Sequence, residues 1–203
     1  RESLGRAINK VKGKYLGIAG GVYDKTWLLF RAYSKSKYDI DLKDIVNPLF
    51  ASAPILYKKM QDDSLQAAIN FWHFNAKLES KNIKALIEIS EILKELDIQK
   101  DVSFVGWTFD TKFANENKDL INAFLKASKE SKEILKNSDE EWNRIKEQMS
   151  VKNDKEFEAL KNGYKKGIIE EFDENSIGDL QKVFKILLKE GGEKFVEDST
   201  SLD

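Results

Sequence analysis

The chain has 203 residues, enough for one large domain or two small lobes, and its 41% hydrophobic and 34% charged content is that of a globular protein. Its net charge of −1, from 34 basic and 35 acidic residues, gives no argument for nucleic acid or an anionic membrane surface. With no cysteine and one histidine, disulfides, thiol chemistry, thiolate metal sites and histidine-rich metal sites are excluded, and no apolar run reaches the ~18 residues of a membrane span.

Residues 1–14 are polar and weakly periodic and read as a lead-in or a frayed helix. Tyr15 to Ala19 is a short apolar run that predicts a buried strand. Gly20-Gly21 breaks it, and Asp24 stands where an N-cap belongs, ahead of a helix carrying Trp27 to Tyr33. After a turn over Asp39 to Asp44, Ile45 to Phe50 predicts a second strand, with Pro48 placing it near a sheet edge or at a bend. Ser52-Ala53-Pro54 opens a short helix to Met60. Leu65 to Asn70 predicts a third strand, and Asn70-Phe71-Trp72-His73-Phe74 opens a helix to about Ser80. Ile83 to Ile89 alternates like a strand but fits a helix as well. Ser90 caps a short helix, and Val102 to Phe109 predicts a last strand.

Beyond Asp110 the pattern is helical: Asn117–Lys136, a capped start at Ser138, another at Asn153-Asp154, and a last helix from Ser176 closed by Gly191-Gly192. The composition shift near residues 100–110 is the best internal boundary. Strands alternating with helices over the first part predict an α/β lobe with a mostly parallel sheet. The apolar faces of the later helices, with Phe124, Leu125, Phe184 and Leu187, need a sheet to cover them.

A strand, a Gly-Gly turn and a capped helix leave backbone N–H groups at a helix N-terminus, where anions collect in open α/β sheets. Gly20, Gly21 and Asp24 read either as a ligand-lining corner or as a plain βα turn with an N-cap, and Lys25 either faces an anion or is solvated. Asn70, Trp72 and His73 read either as one wall of a pocket or as a packed corner, while Phe71 and Phe74 read as core. Trp142 and Tyr164 read as helix-packing residues. No carboxylate pair, nucleophile–base set or metal-ligand spacing emerges, and no cofactor is expected.

Several blocks together resemble the substrate-binding proteins of ABC importers, of the nitrate/sulfonate/taurine (NitT/TauT, SsuA-like) type. Lys12-Gly13-Lys14-Tyr15-Leu16-Gly17-Ile18 is similar to the opening of that family's second lobe. Gly20-Gly21-Val22-Tyr23-Asp24-Lys25-Thr26-Trp27 resembles its GGxxDKxW block. Leu65 to His73 resembles its NFWHF block, with Gln66-Ala67 in place of Asp-Ala. Gly106-Trp107-Thr108-Phe109, followed by Phe113-Ala114 and Asn117, resembles the returning GWxF block. The match covers roughly residues 8–170.

The resemblance implies an α/β, type II periplasmic-binding-protein-like fold: a lead-in segment (1–11), an α/β lobe two (12–102) and the mainly helical C-terminal part of lobe one (103–203). It also implies a chain lacking the leading strands of lobe one, to be completed by a missing N-terminal segment or a partner chain. The implied function is capture of a small molecule between two lobes and its delivery to an ABC permease, in the periplasm or at the cell surface, without catalysis. Its ligand would touch Gly20, Gly21, Asp24, Lys25, Asn70, Trp72 and His73. Biosynthetic enzymes of thiamine-pyrimidine or menaquinone type share the two-lobed fold and stand as the alternative, as does a ligand-sensing domain.

Overall fold

The computed structural model describes residues 2–99, 102–169 and 172–195; residues 1, 100–101, 170–171 and 196–203, parts of all three expected segments, lie outside that description. The chain forms two compact units, one from Arg1–Val102 with Phe172–Asp203 and one from Ser103–Glu171.

The first unit is mixed α/β, built on a small parallel sheet. Its strands β1 (Tyr15–Ile18), β2 (Asn47–Phe50) and β3 (Ala67–Ile69) lie in the order β2-β1-β3. Ile18 pairs with Phe50 on one side and with Ile69 on the other. The central strand is the most buried, with Leu16 and Ile18 both buried. Pro48 has no N–H to give a ladder, and it sits on an outer strand, as the sequence predicts.

Among the described residues of its first stretch there are six helices. Helix α1 (Glu2–Val11) is a complete helix, because Ala7, Ile8 and Val11 recur at helical spacing and are buried. Helix α2 (Lys25–Tyr38) buries nearly every apolar residue from Trp27 to Tyr33. The predicted turn over Asp39 to Asp44 holds a short helix, α3 (Leu42–Ile45), started by Asp41, whose carboxylate accepts the Lys43 N–H at 3.1 Å. Helices α4 (Ala53–Gln61), α5 (Trp72–Glu79) and α6 (Ile89–Glu95) follow.

Residues 83–88 form neither strand nor helix, and α6 begins at Ile89, with Glu91 reaching back to the Glu88 N–H at 3.0 Å. Alternation over a few residues makes a strand only where another strand offers its hydrogen bonds.

The connections β1→β2 and β2→β3 run in opposite directions across the sheet, so right-handed crossovers place α2 and α4 on opposite faces. On the α4 face, Ala19, Ala53, Leu56 and Leu65 form a buried cluster with Phe74 packed against it. Gly17 lies under this cluster: a Cβ there would meet Leu65 Cδ2 at 2.6 Å and Leu56 Cδ2 at 2.7 Å.

The second unit is helical among its described residues: α7 (Thr111–Glu116), α8 (Lys118–Asn137), α9 (Asp139–Ile145) with a tight turn to Met149, and α10 (Asp154–Lys166). Asp110, Ser138 and Asn153 supply the caps of α7, α9 and α10 through their side chains. Trp142, Phe157 and Leu160 form the buried centre; the Trp142 ring stands edge-on to Tyr164 at 5.5 Å, and its Nε1 donates to the Leu135 carbonyl. Val102 to Phe109, predicted as a strand, pairs with no strand among the described residues. It lies along α8 instead, with Trp107 donating to Ser128 Oγ at 3.0 Å and Trp107 and Phe109 edge-on to Phe124. Helix α8 buries no residue, and Phe124 and Leu125 are exposed.

The last helix, α11 (Glu174–Gly191), packs against α2 in the first unit and buries Val183 and Leu187. Of the four side chains expected to need cover, Leu187 is therefore buried and Phe184 half-buried. Glu190 joins α11 to an ion cluster, accepting from Lys35 Nζ at 2.6 Å; Arg31 donates twice to Asp41, at 2.9 and 2.8 Å, and Lys35 lies 3.0 Å from the same carboxylate. At the other end, Asp179 accepts the Gln99 N–H at 2.9 Å and holds the close of the first stretch.

Candidate ligand site at the carboxyl edge of the sheet

The three parallel strands end side by side. The Ala19 N–H donates to the Ile69 carbonyl at 3.0 Å, and the Ala51 N–H to the Ile18 carbonyl at 3.4 Å. Each strand then turns directly into a helix, so the first turns of α2, α4 and α5 gather at one edge.

At the first corner Gly20 and Gly21 have φ of 92° and 81°, a region that L side chains avoid. This explains why both positions are glycine without invoking a ligand. A Cβ on Gly20 would also meet Asp24 Oδ2 at 3.0 Å. Asp24 accepts the Trp27 N–H at 2.9 Å and so caps α2, as its position in the sequence predicts. Burial pushes its carboxyl above the usual value, against the Trp27 and Thr26 N–H bonds and the Lys25 charge. Lys25 is exposed at the first position of α2.

At the second corner Ser52 precedes α4 but makes no capping bond through its side chain, and Pro54 sits in the first turn. Phe50 and Ile55 flank this corner and are exposed.

At the third corner Asn70 holds two corners together. Its Nδ2 donates to the Ala53 carbonyl at 3.1 Å, its Oδ1 accepts the Phe71 N–H at 2.8 Å, and its own carbonyl accepts from Asn75 Nδ2 at 3.0 Å. Phe71 occupies the N-cap position of α5, where no side-chain cap is made. Trp72 is 50% exposed and Phe71 48%. His73 lies edge-on to Trp72 at 5.6 Å and tilted against Phe74 at 4.5 Å. Burial, with Lys77 nearby, pushes its imidazole below the ordinary value.

The fold thus brings Gly20, Gly21, Asp24 and Lys25 to the end of β1, and Asn70, Trp72 and His73 to the end of the neighbouring β3. Phe74 is packed against the α4 cluster and Tyr57, as expected of a core residue. Phe71, read from the sequence as core, is half exposed, because an N-cap residue points away from the face its helix buries. Phe50 and Ile55 were not singled out: an aromatic at the last position of a strand carries no signal separating edge from core.

Neither α4 nor α5 has a side-chain cap. Among the described residues no group of three or more His, Cys, Asp or Glu side chains is placed to hold a metal ion. No helix of the described residues is long and apolar enough to cross a membrane. No protein-family model matches the chain, and no curated protein matches it either.

Proposed function

We propose that the chain is the solute-binding component of an ABC importer, of the nitrate/sulfonate/taurine type, exported to the periplasm or the cell surface. Its first unit is the α/β lobe of a type II periplasmic-binding-protein-like architecture. It holds a small molecule at the carboxyl edge of the sheet and passes it to a permease, without chemistry of its own. One observation carries the reading. The Gly20-Gly21-Asp24-Lys25 block and the Asn70-to-His73 block, which give the sequence its resemblance, lie at the carboxyl ends of adjacent parallel strands. Open α/β sheets take their ligands at that edge, and most readily where successive connections leave in opposite directions, as they do here.

A thermal-shift screen of the purified chain against small metabolites tests this, since a ligand bound only by the native state raises its stability. A metabolite that raises Tm and is recovered unchanged is the expected result. Turnover of that metabolite would favour an enzyme on the same fold, and a screen with no hits would remove the reading.

A further inference from the structure

We infer that the solute taken at this edge has a planar, apolar body and is not a bare inorganic oxyanion. The inference rests on the solute-binding reading above and narrows it. It starts from the charge inventory of the three corners. Across residues 19–25, 50–55 and 69–73 the only charged side chains are Asp24 and Lys25, which are opposite in sign. Burial and Lys77 both push the His73 imidazole toward its neutral form. A small oxyanion gives up strong hydration on binding and needs charge-assisted hydrogen bonds in return. Lys25, with a carboxylate beside it in the chain, and Lys77, further along α5 near His73, are a poor source of them.

What the edge offers in quantity is aromatic and aliphatic surface. Phe71 and Trp72 are each about half exposed at the start of α5, and Phe50 and Ile55 are exposed at the corner beside them. Phe71, Trp72, His73 and Phe74 stand ring against ring, with centroids 4.5 to 6.2 Å apart. Such a row supplies faces and edges to a planar ring at little conformational cost. The Asn70 amide, whose bonds to Ala53 and Phe71 use one donor and one acceptor, and the first turn of α4, which no side chain caps, then orient a polar substituent.

The test uses the intact chain and matched probes: nitrate, sulfate, acetate and methanesulfonate against benzoate and benzenesulfonate, with the metabolite library alongside. Binding is read by thermal shift and by tryptophan fluorescence, in the wild type, in Trp72→Ala and in Phe71→Ala. Both side chains are half exposed, and the variant whose ligand-free Tm matches the wild type serves for comparison. The expected result is that ring-bearing probes bind at least tenfold more tightly than the head groups alone, and that the difference disappears in the folded variant. Head groups or inorganic anions that bind as well as their ring-bearing partners would overturn the inference and leave the solute-binding reading standing. So would a ring preference untouched by either variant. An absence of hits among probes and library alike would overturn both.

Discussion

Asn70 donates from Nδ2 to the Ala53 carbonyl at 3.1 Å, so the corner after β3 is fastened to the first turn of α4. The same side chain accepts the Phe71 N–H. Asn70→Ala removes both partners at once and should cost about 1–2 kcal/mol, read as a lower denaturant midpoint at unchanged slope. Asn70→Asp keeps an acceptor for Phe71 but cannot donate to Ala53, and should do no better. An unchanged midpoint in Asn70→Ala would mean that the corner is held by other contacts.

Asp24 separates capping from charge. Asp24→Ala should cost about 1 kcal/mol for the lost cap of α2. Asp24→Asn keeps an acceptor and removes a carboxylate that burial disfavours, so at pH 7 it should be close to neutral or stabilising. The sign follows from the raised pKa: the folded state holds this proton more tightly than the unfolded chain. The stability that Asp24 contributes is therefore present below its ordinary value of 3.8 and lost as pH rises through its folded value. A large loss in Asp24→Asn at pH 7 would contradict this.

Asp41 behaves oppositely. Burial alone would raise its carboxyl, but hydrogen bonds from Arg31, Lys35 and the Lys43 N–H outweigh burial and hold it well below the usual carboxylate range. Its contribution is present above the ordinary value of 3.8 and fades as pH falls through the folded value. Asp41→Asn should cost about 3 kcal/mol at pH 7, because Arg31 and Lys35 both lose a carboxylate partner. It should also flatten the acid side of the stability profile. Equal acid slopes for wild type and variant would refute the assignment.

Ser34 is fully buried in α2, and its Oγ finds no hydrogen-bond partner among the described residues. A buried hydroxyl without a partner costs stability, so Ser34→Ala should be neutral or stabilising by up to about 1 kcal/mol. Chemical denaturation of the two proteins side by side measures it. A loss of more than that would show that the hydroxyl has a partner after all.

The parts of this fold that read clearly in the sequence are those set by neighbours in the chain. Asp24, Ser138 and Asn153 cap helices where their spacing to the apolar runs predicts it. The Gly20-Gly21 break and the outer placement of Pro48 follow from backbone sterics in the same way. Distant partners decided the rest. Val102 to Phe109 has strand composition but meets no strand among the described residues, and Ile83 to Ile89 alternates without pairing. At the candidate site the glycines and Asn70 were visible, but the structural work of Asn70 on Ala53 was not, since that bond spans 17 positions and depends on the parallel register. Phe71 was misplaced because hydrophobicity does not tell which side of a helix start a ring will take.

The contact between Lys35 and Glu190 joins residues 155 positions apart, and everything from Ser103 to Glu171 is threaded between the two halves of the first unit. A ribosome therefore releases the whole second unit before it releases the helix that completes the first. Until α11 emerges, the side of α2 that receives it stays wet, and Arg31, Lys35 and Asp41 wait without Glu190. Closing so long a loop is entropically slow, and folding of the first unit is expected to lag behind synthesis, with the second unit free to settle first.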